Sequence, residues 1–116
     1  MSKPLQFQPV AEFGTLPEGR MLGCSVDGRL LVVCHTRDGL HALDDICPHA
    51  YARMSEGRLR GTRLICPLHG ASFDIRDGRV LTGPATRALQ AHRVRLQGST
   101  IEVALDPAAP PQPEPF

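Results

Sequence analysis

The sequence lacks long hydrophobic runs, a targeting segment and any sustained helical periodicity. Its longest apolar run is Leu30-Leu31-Val32-Val33-Cys34, which is far too short to cross a bilayer. The stretch Met1 to Phe7 has neither the apolar core of a secretory signal nor the paired arginines of a twin-arginine signal. These absences predict a soluble protein, which we expect in the cytoplasm without a membrane partner.

The balance of charges excludes a further class of protein. The formal net charge of the 116 residues is +1 and the pI is about 7.8, so the dense basic surface typical of nucleic-acid binding is not expected. Nearly all the basic residues are arginines, and four of them crowd the middle of the chain: Arg53, Arg58, Arg60 and Arg63. A solvated face is the simpler interpretation of these four, and a rim that meets an acidic partner is the alternative.

What the sequence does contain is the pattern of antiparallel β-structure. The dipeptides Asp27-Gly28 and Asp38-Gly39 are typical hairpin turns, because glycine tolerates the positive φ that such turns need. Strands are predicted on either side of them, at 10–13, 20–26, 29–36 and 40–43, and a last hairpin is predicted over 91–105. The length fits one domain, which we place at residues 1–105 and assign to the all-β class.

The last eleven residues, 106–116, have a different composition. They are rich in proline, which lacks the N–H that a sheet requires, so we expect an extended or disordered tail. Two cysteines in the predicted first hairpin, Cys24 and Cys34, are interpreted as buried apolar thiols, because the register sets Cys24 opposite Leu31 rather than opposite Cys34. A regulatory disulfide is the alternative.

Two short motifs carry the chemistry of the chain: Cys47-Pro48-His49 and, after sixteen residues, Cys66-Pro67-Leu68-His69. Two thiolates and two imidazoles suit either a tetrahedral zinc ion or the two irons of a [2Fe–2S] cluster. Zinc sites usually pair like ligands within one loop, whereas each loop here mixes Cys and His, which favours the cluster. A predicted hairpin around Leu59 and Leu64 would bring the two loops together in a subdomain over about 45–73.

The flanking residues carry a resemblance to a known family. The stretch 41–49, HALDDICPH, together with 66–74, CPLHGASFD, resembles the Rieske-type [2Fe–2S] ferredoxins of bacterial aromatic-ring dioxygenase systems. Gly78-Arg79-Val80 and Gly83-Pro84-Ala85 extend the likeness, which covers roughly 10–105. It implies the Rieske fold, with antiparallel sheets in a sandwich-like arrangement and a small cluster-binding subdomain. It also implies that Cys47 and Cys66 bind one iron of the cluster and that His49 and His69 bind the other.

The resemblance further implies a function without catalysis. The chain would be a monomeric carrier that passes one electron from a flavin-containing reductase to a terminal ring-hydroxylating oxygenase, docking near His49 and His69. The alternative is a small subunit of a larger redox enzyme such as assimilatory nitrite reductase, although many such subunits lack the cluster ligands and this chain has all four.

Departures from the respiratory branch of the family predict a low reduction potential. Respiratory Rieske proteins join their ligand loops by a disulfide, and the corresponding positions here are Ala52 and Leu68. They also place Ser and Tyr hydroxyls against the cluster, where this chain has Ala71 and Phe73. Each missing O–H removes a hydrogen bond that would stabilise the reduced cluster, so we expect a potential near about −150 mV, at the low end for Rieske centres.

Overall fold

The structure, a computed structural model, describes residues 5–48, 52–68, 70–83 and 87–112. Within these residues the chain forms ten strands and two short 3-10 turns, Phe13–Thr15 and Met54–Glu56. None of the helices in this part of the chain is long and apolar enough to cross a membrane. The strands are β1 Gln8–Glu12, β2 Met21–Val26, β3 Arg29–Thr36, β4 Gly39–Asp44, β5 Arg58–Arg60, β6 Arg63–Ile65, β7 Ser72–Asp74, β8 Val80–Thr82, β9 Ala91–Gln97 and β10 Thr100–Ala104.

The strands form two antiparallel sheets, which confirms the predicted fold class. The larger sheet has the order β1-β10-β9-β4-β3-β2, and the smaller has the order β5-β6-β7-β8. The first hairpin turns at Asp27 and Gly28, both at positive φ, and its register sets Val26 opposite Arg29. The same register sets Cys24 opposite Leu31, as predicted from the sequence.

A buried apolar cluster surrounds the two motif cysteines, Cys47 and Cys66. Leu43 arrives from the larger sheet, Leu64 and Phe73 come from the smaller one, and all three are fully buried. A second apolar cluster lies around Leu31, Val33 and Ile101 of the larger sheet, away from the motifs. Cys34 is fully buried and Cys24 is partly buried, both as free thiols, in agreement with their interpretation as apolar residues.

The predicted hairpin between the motifs is present as β5 and β6, with Gly61 at positive φ in its turn. The smaller sheet continues beyond the expected subdomain, since β8 ends at Thr82. The sequence also predicts a bend at Gly83-Pro84, which lies partly outside the described residues and stays a prediction.

The C-terminal tail, expected to be extended or disordered, makes hydrogen bonds with the larger sheet as far as Gln112. The Pro110 carbonyl accepts a hydrogen bond from Arg29 at 2.7 Å. The Gln112 side chain accepts from the Leu30 N–H at 2.8 Å and donates to the Leu30 carbonyl at 2.7 Å. Proline cannot pair as a strand, but a carbonyl and a side-chain amide in the same segment can still bind a neighbouring strand.

Candidate metal centre

Each cysteine motif begins a short loop, and a backbone hydrogen bond joins the cysteine at the start of the loop to the residue at its end. The Cys47 N–H donates to the Ala52 carbonyl at 2.9 Å, and the Cys66 N–H donates to the Ala71 carbonyl at 2.7 Å. The first loop follows β4, and a β-bridge between Ile46 and Arg53 reinforces its base. The second loop joins β6 to β7. The two loops therefore span the same number of residues and present their cysteines in matching positions.

The two cysteine side chains lie next to each other in the apolar cluster. Cys47 is fully buried and Cys66 is 2% exposed. The pKa of the Cys66 thiol is raised to about 11, chiefly by burial and in addition by the hydrogen-bonded Cys47 thiol, while a hydrogen bond from the Leu68 backbone lowers it in part. A buried thiol with a raised pKa, such as that of Cys66, resists ionisation until a positive charge is supplied, and a coordinated metal ion supplies that charge. The donor set thus fits a metal group with thiolate ligands.

The two predicted histidine ligands, His49 and His69, lie outside the described residues, as do Ala50 and Tyr51. In the parts of the chain that the structure does describe, no three His, Cys, Asp or Glu side chains come together at one point. The assignment of all four ligands therefore stays a prediction, and the structure brings together the two cysteines.

Asp45 fixes the base of the first loop, a role that the sequence analysis missed. Its carboxylate is fully buried and accepts three hydrogen bonds, from the Ser55 N–H at 2.6 Å, the Ser55 hydroxyl at 2.7 Å and the Arg53 guanidinium at 2.9 Å. Its carbonyl accepts from the Met54 N–H at 2.7 Å. Asp45 thereby ties both ends of the loop together, and the only sequence signal for it is an acidic residue directly before a ligand motif.

Neighbouring Asp44 holds the end of β4 against the rest of the larger sheet. Arg29 donates two hydrogen bonds to it, at 2.7 and 2.8 Å, and His92 contacts it at 2.8 Å. Burial raises the pKa of Asp44, but the hydrogen bonds with His92 and Arg29 outweigh burial and hold the pKa below its ordinary value. His92 lies on β9 and its contact with Asp44 connects β9 to the end of β4, so His92 has a structural role and is not a candidate ligand.

The residues expected to influence the reduction potential lie in or next to the two cysteine loops. Ala71 and Phe73 are fully buried beside the cysteines, and neither carries a hydroxyl. Ala52 packs against the same cluster, whereas Leu68 is 48% exposed at the surface of the second loop. The four cysteines of the chain are all free, so no disulfide joins the loops.

Comparison with known proteins identifies the family. The model of the Rieske [2Fe–2S] domain matches residues 6–95. The chain belongs to the Rieske [2Fe–2S] domain family. Its cofactor is therefore a Rieske-type [2Fe–2S] cluster, and the zinc alternative falls away.

Relatives within the Rieske family narrow the function. The chain is 37% identical over 90 residues to the ferredoxin component of a naphthalene 1,2-dioxygenase system from Pseudomonas aeruginosa, which covers 78% of this chain and 86% of the relative. The fold matches the ferredoxin of carbazole 1,9a-dioxygenase from Nocardioides aromaticivorans IC177 with a TM-score of 0.83 and 29% identity, covering 86% of this chain and 98% of that one. The homologues are ferredoxin components rather than catalytic subunits, so this Rieske protein is an electron carrier.

Two further solved structures bear on partners and on the alternative function. A complex of reduced oxygenase and oxidized ferredoxin in carbazole 1,9a-dioxygenase matches with a TM-score of 0.80 and 28% identity, covering 84% of this chain and 92% of that one. A putative NADH-dependent nitrite reductase small subunit from Mycobacterium tuberculosis matches with a TM-score of 0.79 at 23% identity, covering 88% and 96%. The second likeness is one of fold alone.

Proposed function

We propose that Cys47, His49, Cys66 and His69 hold the cluster, and that the chain carries single electrons from a flavin-containing reductase to a terminal ring-hydroxylating oxygenase. The observation that carries the ligand proposal is the buried pair of thiols at the start of two loops of equal length. Cys47 and Cys66 would bind one iron, and the two histidines would bind the other. The bound cluster supplies reversible uptake of one electron.

The protein's own residues position the ligands and keep the site dry. The Asp45 carboxylate, with Ser55 and Arg53, holds the base of the first loop. The apolar cluster around Phe73, Leu64 and Met54 excludes water from the cysteines. Because the two cysteines are held in place before an electron arrives, little rearrangement of them is expected to accompany its transfer, which suits a carrier that does no chemistry of its own.

We also propose a low reduction potential. Ala71 and Phe73 offer no hydroxyl to the cluster, and no cysteine pair joins the loops, so the potential is expected near about −150 mV. Protein-film voltammetry gives the value directly. A potential in the range of the respiratory proteins would contradict this part of the proposal.

The oxygenase and the reductase are proposed to dock at the exposed end of the ligand loops, near His49 and His69. Leu68 supports this proposal, because it is one of few large apolar side chains that the described surface exposes, at 48%. A carrier must leave its partner quickly, so a small contact area and a weak affinity are expected. We place this carrier in the cytoplasm as a monomer, with the domain over 1–105.

Replacement of His69 tests the ligand assignment. We expect His69→Ala to lose most of its iron and sulfide together with the Rieske EPR signal, because an alanine cannot bind iron. The matched control is His41→Ala, since His41 lies on β4 and its Nε2 has no hydrogen-bond partner among the described residues. The control should keep its cluster. A full complement of iron and sulfide with an unchanged spectrum in His69→Ala would show that the assignment is wrong.

A further inference from the structure

Three arginines lie on one face of the hairpin formed by β5 and β6. Leu59 and Leu64 of these strands pack into the apolar cluster. Side chains alternate along a strand, so Arg58, Arg60 and Arg63 point to the opposite side, and all three are exposed. We call these three residues the arginine face.

The arginine face is unfavourable for the fold by itself. Arg60 and Arg63 are direct partners across the two strands, and like charges in that position repel each other. Within the described residues no carboxylate lies within ion-pair distance of either, and Arg63 donates only to the Ser72 hydroxyl at 3.1 Å. Five other arginines of the chain do have carboxylate partners: Arg29, Arg53, Arg76, Arg79 and Arg95. Of the seven arginines that have no carboxylate partner among the described residues, three therefore lie together on this hairpin.

A groove runs alongside the same hairpin and adds a fourth charge. β5 is the edge strand of the smaller sheet, and the groove beside it has a volume of about 570 Å³. Its walls include Arg20, Ser55, Gly57, Arg58 and Arg60. Arg20 is exposed and, among the described residues, also lacks an ion pair. A neighbouring molecule seated here meets guanidinium groups from two directions.

The arginine face reaches the metal centre. Arg58 is the cross-strand partner of Ile65, and Ile65 directly precedes Cys66. The end of the face that carries Arg58 thus borders the second ligand loop. A protein that contacts the Arg58 end of the face therefore lies next to the second ligand loop.

We propose that the arginine face and Arg20 form a docking surface for an acidic patch on the protein redox partner of this carrier. This inference rests on the proposed function and specifies the chemistry of its partner. A second copy of the chain is a poor occupant, because its own positive face would be repelled. Exposed charges of this kind speed up encounter and fix orientation without requiring tight binding, as an electron carrier needs.

The test compares charge reversal on the face with charge reversal elsewhere. Cluster-loaded wild type, Arg60→Glu and Arg93→Glu are mixed in a stopped-flow instrument with a purified flavin-containing reductase and, separately, with a purified ring-hydroxylating oxygenase from the same organism. Arg93 is the matched control, because it is exposed on β9 of the other sheet and has no ion pair among the described residues. We expect Arg60→Glu to lower the second-order rate constant about tenfold at low salt in at least one arm, and Arg93→Glu to change it less than about twofold. Added salt should slow wild type and affect Arg60→Glu far less.

The same substitution separates docking from folding. The new carboxylate at position 60 stands opposite Arg63, so the hairpin exchanges a repulsion for an attraction. The melting temperature of Arg60→Glu should therefore be equal to or higher than that of wild type, while the rate of electron exchange falls. If Arg60→Glu exchanges electrons more slowly but is at least as stable as wild type, misfolding cannot explain the slower exchange.

Several outcomes would overturn the inference. Unchanged rates in both arms would do so, and so would self-association of Arg60→Glu in gel filtration with unchanged rates, which would show that the arginines only keep the edge strand from pairing. If wild type bound a labelled single-stranded oligonucleotide and Arg60→Glu did not, while both exchanged electrons at the same rate, the arginine face would be a nucleic-acid surface instead. If instead wild type itself, with its cluster intact, exchanged no electrons with either protein, the proposed function would fail first.

Discussion

Gly57 shows at the scale of one residue how the metal centre depends on close backbone approach. A Cβ atom built on Gly57 would lie 1.9 Å from the Ile65 carbonyl oxygen, and Ile65 precedes Cys66, one of the proposed ligands. The approach at Gly23 is less close: a Cβ there would lie 3.0 Å from the Ser55 hydroxyl that donates to Asp45. Both positions leave room for backbone or side chains that hold the ligand loops.

The contact at Gly57 gives a direct prediction. Gly57→Ala should push the Ile65 carbonyl away and shift Cys66 with it, lowering stability by about 1–3 kcal/mol, as overpacking does elsewhere. The iron content of the purified protein should fall and its urea midpoint should drop. Gly14→Ala is the matched control, because a Cβ on Gly14 meets nothing within 4 Å. Equal iron content and equal stability in the two variants would contradict the close approach.

At the scale of elements, the tail meets two strands, β3 and β4, in one hydrogen-bond network. Arg29 binds both the Pro110 carbonyl and the Asp44 carboxylate. The Leu30 carbonyl accepts from Gln112 and also from the Asp45 N–H, at 2.9 Å. The tail is thus two hydrogen bonds away from the aspartate that fixes the first ligand loop, and it stabilises the strand end from which that loop departs.

Removal of the Gln112 amide should weaken this arrangement. Gln112→Ala loses two hydrogen bonds to Leu30, each contributing about 0.5–1.5 kcal/mol, so the free energy of unfolding is expected to fall by about 1–3 kcal/mol. Chemical denaturation measures the change. Gln97→Ala, at an exposed site on β9, serves as the control and should be close to neutral. A neutral Gln112→Ala would mean that the tail leaves Leu30 in solution.

Over the whole molecule, local sequence patterns predicted the strands and the cofactor-binding motifs, but not the long-range hydrogen bonds that connect them. Asp27-Gly28 fixes a hairpin because only two adjacent residues decide its turn, and the register of Cys24 follows from it. The cysteine motifs favour an iron–sulfur cluster because the type and spacing of the candidate ligands lie within short segments of sequence. The roles of Asp45 and Gln112 depend instead on partners far away in sequence, Ser55 for one and Leu30 for the other. No periodicity or turn rule contains such contacts.

One contribution to the response of the fold to acid comes from Asp74, which is buried on β7 and forms ion pairs with Arg76 and Arg79. Hydrogen bonds from Arg76 outweigh the opposing effect of burial and, with Arg79, hold the pKa of Asp74 at about 2, below its ordinary value of 3.8. Because the folded pKa is the lower one, protonation favours the unfolded chain. The stabilisation is therefore fully present above pH 3.8 and is lost as the pH falls through about 2.

Asp74→Asn should remove this dependence. Thermal unfolding of wild type and variant between about pH 6 and about pH 2 should show the largest difference in melting temperature above pH 4 and a shrinking difference below it, since the ion pairs stabilise only the ionised form. The difference between the two proteins cancels changes common to both, including acid damage to the cluster. Asp27→Asn, at an exposed turn, controls for the loss of a carboxylate as such. A difference that stays constant or grows on acidification would show that Asp74 stabilises the fold by packing, with its charge and the two exposed arginines contributing nothing.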